Sequence, residues 1–221
     1  MEEKRKKYIN LTVFILYFVY MSAPALILRL FNLKIYNVLY KNIYLISIGF
    51  MYIFLLIFIY RKELKVEIKK TSIKSIACYL PIYLIGLILM IVSNTILYKI
   101  TGNSLSQNEI NVREATRLLP VYMSFSSVIF APFIEEITFR KTFRNMISNS
   151  FIYILVSGAL FGLVHISGSS SNLNEYLMII PYVIMGFAFS FINYKSENIF
   201  NSMIIHSMHN LILLIILFIG G

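Results

Sequence analysis

The chain has 221 residues, 58% of them hydrophobic, and sets 20 Lys and Arg against 10 acidic residues, all of them Glu. A soluble domain uses roughly 45–50% apolar residues, so this composition excludes a water-facing globule. The excess of positive charge, which in a soluble protein would suggest nucleic acid, falls between apolar runs and reads as a topology signal; the expected partner is the lipid bilayer, with no nucleic acid.

In chain order, apolar runs predict spans near residues 8–30, 43–60, 76–98, 121–147, 151–167, 176–194 and 199–219. The expected fold is therefore all-α, a polytopic transmembrane helix bundle with about seven spans and no appended soluble domain. Lys4, Arg5, Lys6 and Lys7 precede the first run as in a signal peptide, and Ala23-Pro24-Ala25 loosely resembles a cleavage site. The run continues to about Leu30, longer than a signal h-region, so a retained anchor is expected. Cys78 is the single cysteine, so there is no disulfide framework and no Cys-based metal site. The segment from Thr101 to Arg117 is rich in Asn, Ser and Glu and reads as a solvated extracytoplasmic connection. No internal repeat is visible.

Sidedness follows from the cations. The N-terminus, residues 61–74, the turn around 140–149 and Lys195 hold fourteen Lys and Arg, and the other side holds six. This predicts a multi-pass cell-membrane protein with its N-terminus cytoplasmic and its C-terminus outside, and the segment from Arg61 to Lys74 lying along the anionic inner leaflet. Residues 1–117 form the N-terminal helices and extracytoplasmic loop, and residues 118–221 a core that carries the chemistry, in one integral bundle.

Ionisable groups enter the later spans. A charge at mid-bilayer costs about 2.5–3.5 kcal/mol or more, so the run Ala131-Pro132-Phe133-Ile134-Glu135-Glu136-Ile137-Thr138-Phe139-Arg140 demands a reason. Glu136 and Arg140 have the favoured i,i+4 ion-pair spacing. Glu135 points about 100° away around an ideal helix, is left without a partner, and has the character of a general base. Pro132 removes a backbone donor and opens the helix nearby. All three histidines are also in apolar runs. His206 and Asn210 share a helix face and together offer donors to a developing oxyanion, while His165, on another helix, stands ready to orient a water with Glu135. His209 is offset from that face and reads as packing. At 1.5 Å rise per residue, Glu135, His165, His206 and Asn210 lie at similar depth, provided the fourth span runs through to about residue 147.

Each feature also has a plain structural reading. The Glu pair with Arg140 suits an ion-pair cluster at the membrane edge, and His165 suits a helix-end histidine bonded to a carbonyl. His206 with Asn210 suits polar glue between helices, as Gly158-x-x-x-Gly162 suits a close helix contact. The many Tyr and Phe read as lipid-facing or interfacial. What favours chemistry is the company the motifs keep.

Glu-Glu-x-x-x-Arg, then Phe-x-x-x-His, then His-x-x-x-Asn, in this order on separate spans, resembles the CPBP family of CAAX-type and Abi intramembrane proteases. The match covers roughly residues 118–215; Lys141 stands where family members often carry Gly. The resemblance implies an intramembrane endopeptidase in which Glu135 and His165 activate water, His206 and Asn210 support the oxyanion, and Glu136 and Arg140 are structural support. It implies a peptide or protein substrate within the membrane: a CAAX-like end, a bacteriocin leader or a signalling-peptide precursor. Glu135, His165 and His206 are zinc ligands by type, but no His-Glu-x-x-His helix is present, so no cofactor is expected to be required. The competing readings are a non-catalytic membrane immunity or scaffold protein and an ion or proton carrier.

Overall fold

A computed structural model describes residues 2–103, 105–166 and 173–220, in which no strand occurs. The principal helices are α1 (Glu2–Leu30), α2 (Val38–Lys70), α3 (Ile73–Thr101, with a turn at Cys78 and Tyr79) and α4 (Gln107–Leu118). They continue as α5 (residues 120–146), α6 (Ser150–Val164), α7 (Asn174–Ser196, with a turn at Met178) and α8 (Ile199–Gly220). All seven expected runs are helical and in the expected order. Of these, α1, α2, α3, α7 and α8 are long and apolar enough to cross a membrane, while α6 is shorter. Residue 167, the end of the expected fifth run, lies outside the described residues. α5 reaches Met146, the length that the depth argument required.

Two expectations are corrected. Residues 107–118 are not an irregular loop: Ser106 caps α4 by accepting from the Glu109 amide, and Glu109 pairs with Arg113 one turn on, 2.8 Å away. Local polar pairs thus make a helix where composition suggested a solvated coil. α2 runs unbroken to Lys70, so residues 61–70 are helical and continuous with the second apolar run. The reading of the Tyr and Phe as lipid-facing or interfacial holds only in part: Phe54, Phe58, Tyr98 and Phe218 are among those exposed, but Tyr17, Tyr52, Tyr60, Tyr83, Tyr153, Phe130, Phe139, Phe161 and Phe189 are buried in the core. Their rings pack there with aliphatic side chains such as Leu56, Ile134, Ile137 and Ile192.

The two halves of the chain are tied at one end by a polar cluster. Lys141, buried, pairs with Glu63 at 2.8 Å and with Glu67, both of α2. Glu63 also meets Lys6 of α1 at 3.5 Å, and Glu67 accepts from the Ile199 amide at the start of α8, at 2.7 Å. A lysine following the motif Arg is therefore matched by two acids on α2. The cations counted on one side of the sequence gather at this end of the bundle.

At the other extreme of the packing scale, α6 and α7 meet with almost no side chain between them. A Cβ on Gly186 would lie 2.5 Å from the Gly158 carbonyl oxygen and 2.9 Å from its Cα, and one on Gly162 would meet Val183. The small-residue contact read from Gly158-x-x-x-Gly162 is present, and its partner is Gly186. This approach brings the C-terminal part of α6 and its His165 against the middle of the bundle.

Candidate active site

α5 is the irregular helix. It passes through a π-helical turn at Ser126–Phe130, returns to α over Ala131–Glu135, and opens again into a π turn at Glu136–Lys141. Such turns accommodate an extra residue and re-aim side chains, and they recur at functional sites. Pro132 lies between the two. Glu135 closes the α segment and Glu136 opens the π turn, both in helical backbone conformation.

Both reach one imidazole. His206 Nδ1 lies 3.1 Å from Glu136 Oε1, and His206 Nε2 lies 3.9 Å from Glu135 Oε2. Glu136 is completely buried, whereas 13% of the Glu135 side chain is accessible. The residue nearer the accessible space is thus the one the sequence reading left without a partner.

Arg140 is also fully buried. Its Nη1 is 3.4 Å from Glu136 Oε1, its Nη2 donates to the Gly186 carbonyl at 3.3 Å, and its guanidinium lies 4.3 Å over the Phe161 ring. The ion pair expected from the i,i+4 spacing is present. Two partners of Arg140, Gly186 and Phe161, come from other helices and were not foreseen, since nothing in an apolar run distinguishes an aromatic that seats a guanidinium from one that faces lipid.

His165 caps the end of α6, and its Nδ1 donates to the Phe161 carbonyl at 2.7 Å. In the neutral ring this leaves Nε2 as the acceptor. Its ring stacks on Tyr182 at 4.7 Å and 21°, and Phe161 touches both His165 and His206, with centroids at 4.6 and 5.6 Å. Phe189 stacks on His206 at 4.6 Å. The imidazoles are held in place by aromatic faces. Asn210 Nδ2 donates to the Ser127 carbonyl at 2.9 Å, inside the first π turn, so the carboxamide fastens α8 to α5 and retains one further N–H. His209 turns away: its Nδ1 meets the Tyr83 hydroxyl of α3 at 3.2 Å.

Of the residues singled out from the sequence, Glu135, Glu136, Arg140 and His206 form one contiguous cluster. His165 adjoins it through Phe161, and Asn210 holds the irregular turn one step along α5. Among the described residues no group of three or more His, Cys, Asp or Glu side chains is arranged to hold a metal ion.

Fold and cluster together define a multi-pass helical membrane protein with a carboxylate–imidazole site buried between its helices. Residues 117–212 match the family model for type II CAAX prenyl endopeptidase Rce1-like proteins, which shows the resemblance to the CPBP family over that segment. An uncharacterized protein of Mycoplasma capricolum subsp. capricolum is 28% identical over 83% of this chain and 56% of its own length. UPF0177 protein YxdF of Lactococcus lactis subsp. lactis is 35% identical over 38% of this chain and 43% of its own. The Bacillus subtilis protein named "Putative membrane peptidase YdiL" is 30% identical over 48% of this chain and 41% of its own. The chain spans about half the length of the curated relatives it matches. No solved structure matches.

Proposed function

We propose that this chain is an intramembrane endopeptidase that uses Glu135 as its general base. The observation that carries the reading is the position of Glu135, whose partly accessible carboxylate faces His206 Nε2 beside the fully buried Glu136–Arg140 pair. In this mechanism a water lies between Glu135 and the acceptor Nε2 of His165. Glu135 removes its proton as the oxygen attacks the scissile carbonyl, and returns that proton to the departing amine. Glu136 accepts the Nδ1–H of His206 and fixes the ring. A neutral imidazole has one N–H, so His206 donates to the oxyanion through Nε2 when the ring carries both protons, with Glu136 as counter-charge. The free N–H of Asn210 is the second oxyanion donor. Arg140 neutralises Glu136, leaving Glu135 as the chemically active acid of the pair.

No step is routed through a metal. The substrate is a peptide or protein precursor within the membrane, and the N-terminus faces the cytoplasm because the cation-rich end of the bundle is the cytoplasmic one.

The test is cleavage of membrane-embedded reporters, prenylated CAAX peptides and leader-peptide precursors, by purified wild type and Glu135→Gln. Both are assayed after chelation and with added zinc. Cleavage that survives chelation and vanishes in Glu135→Gln supports the proposal. Loss on chelation with zinc rescue makes Glu135 and the histidines ligands instead. Binding of reporters without cutting, equal in both proteins, favours the scaffold reading.

A further inference from the structure

At the cation-rich end of the bundle a second feature lies apart from the candidate active site. A cavity of about 370 Å³ opens between the end of α2, the start of α3, the end of α7 and the start of α8. It is lined by Lys70, Lys74, Ser72, Ser75, Asn198 and Asn201, with Cys78, Tyr79 and Ser196 at its margin. Among the described residues no carboxylate lines it. Lys70 and Lys74 are exposed and have no ion-pair partner among the described residues, although Glu63 and Glu67 share α2 with Lys70. Those acids are engaged by Lys141, and Glu67 also accepts from the Ile199 amide.

The cavity is built. Asn201 is 2% exposed, its Oδ1 accepts from Ser75 Oγ at 3.1 Å, and its amide nitrogen makes no hydrogen bond among the described residues. Asn198 is fixed by donating to the Glu67 carbonyl and Thr71 Oγ1, each at 3.0 Å, and the Tyr79 hydroxyl donates to the Lys195 carbonyl at 3.2 Å. The walls are thus pinned by bonds to main chain and to one another, while the Asn201 amide nitrogen and two ammonium groups remain for a ligand. These are donors, and they call for an anion.

We propose that this cavity binds the phosphate headgroup of an anionic phospholipid. Its size admits a phosphodiester with a few waters, at about 30 Å³ of liquid volume for each water. Basic pockets between helices at the membrane surface take such headgroups. The surface beside it favours lipid over free phosphate: Ile73 is 87% exposed at the rim, and Leu84, Ile85 and Ile88, about three to four turns further along α3, are each at least half exposed. An apolar strip therefore leads from the cavity into the bilayer, where acyl chains lie. A bound headgroup bridges α3 to α7 and α8, and α8 carries His206.

Cys78 supplies the readout, since it is the single cysteine, exposed, and at the cavity margin. The full chain in detergent is treated with a charged, water-soluble maleimide in the presence of phosphatidylglycerol, phosphatidylcholine with the same acyl chains, or inorganic phosphate. Phosphatidylglycerol is expected to slow modification by about five-fold or more, and the other two to leave it unchanged. Lys70→Gln/Lys74→Gln is expected to abolish the protection, measured against its own lipid-free rate, whereas Lys34→Gln/Lys41→Gln, which removes equal charge elsewhere, keeps it. Native mass spectrometry supplies a second measurement, as the first variant should retain about ten-fold less phosphatidylglycerol per chain. Equal protection by phosphatidylcholine, full protection by inorganic phosphate, or protection and retention undiminished in Lys70→Gln/Lys74→Gln would overturn the assignment.

Discussion

His206 Nδ1 lies 3.1 Å from Glu136 Oε1, so the glutamate paired with Arg140 is also the group that orients the imidazole. Helix spacing alone made Glu136 and Arg140 a self-contained pair; the fold makes them the foundation of the site. Phe161 and Phe189 flank the guanidinium, and Phe189 also stacks on His206. A change at any of these positions is therefore felt at the ring that faces Glu135.

Replacing Arg140 by Met leaves Glu136 charged, fully buried and without its counter-ion. The expected loss of stability is about 3–5 kcal/mol, the range for breaking one side of a buried pair. Adding Glu136→Gln should recover part of it. A double-mutant cycle of unfolding in detergent measures both, and additive losses would contradict the pairing.

Glu135→Gln should behave differently. Its carboxylate makes no ion pair shorter than the 3.9 Å approach to His206, so the unfolding midpoint should change little. Cleavage should fall by about 10²–10⁴-fold, as for loss of a general base. A variant that lost stability and activity in parallel would assign Glu135 a structural role.

Gly186→Ala places a methyl against the Gly158 backbone and disturbs the carbonyl that accepts from Arg140. The contact is main chain against main chain, so no rotamer change relieves it. The expected cost is about 1–3 kcal/mol, the usual scale of overpacking, with reduced cleavage. Gly102→Ala is the contrast: its Cβ would meet nothing, and only the left-handed φ of +72° resists it.

The histidines of α8 should separate cleanly. His206→Gln should abolish cleavage. His209→Gln removes one buried hydrogen bond to Tyr83 and should cost about 1 kcal/mol while cleavage stays within a few-fold of wild type. Tyr83→Phe should give the same loss, and the two together no more than either alone. Cleavage assays beside thermal unfolding distinguish the pair.

By itself the sequence determined that this chain is a bundle of apolar helices, and which polar residues in it call for explanation. Apolar run length and the cost of burying charge act locally, so the seven runs, the suspect positions Glu135, Glu136, Arg140, His165, His206 and Asn210, and the i,i+4 pair were all legible from residue order. The Ser106 cap and the Glu109–Arg113 pair were equally present in the sequence, but there composition pointed to a loop and obscured them. Tertiary structure decided what each polar group meets. The packing of α8 on α5 sets one imidazole against both neighbouring glutamates, Gly186 supplies a carbonyl to Arg140, and Glu63 and Glu67 account for the lysine after the motif Arg. These contacts join residues far apart in the chain, through helix crossings that hydropathy does not encode. In lipid all apolar faces look alike, so only the packing of small residues and the pairing of buried polar groups selects which helices meet.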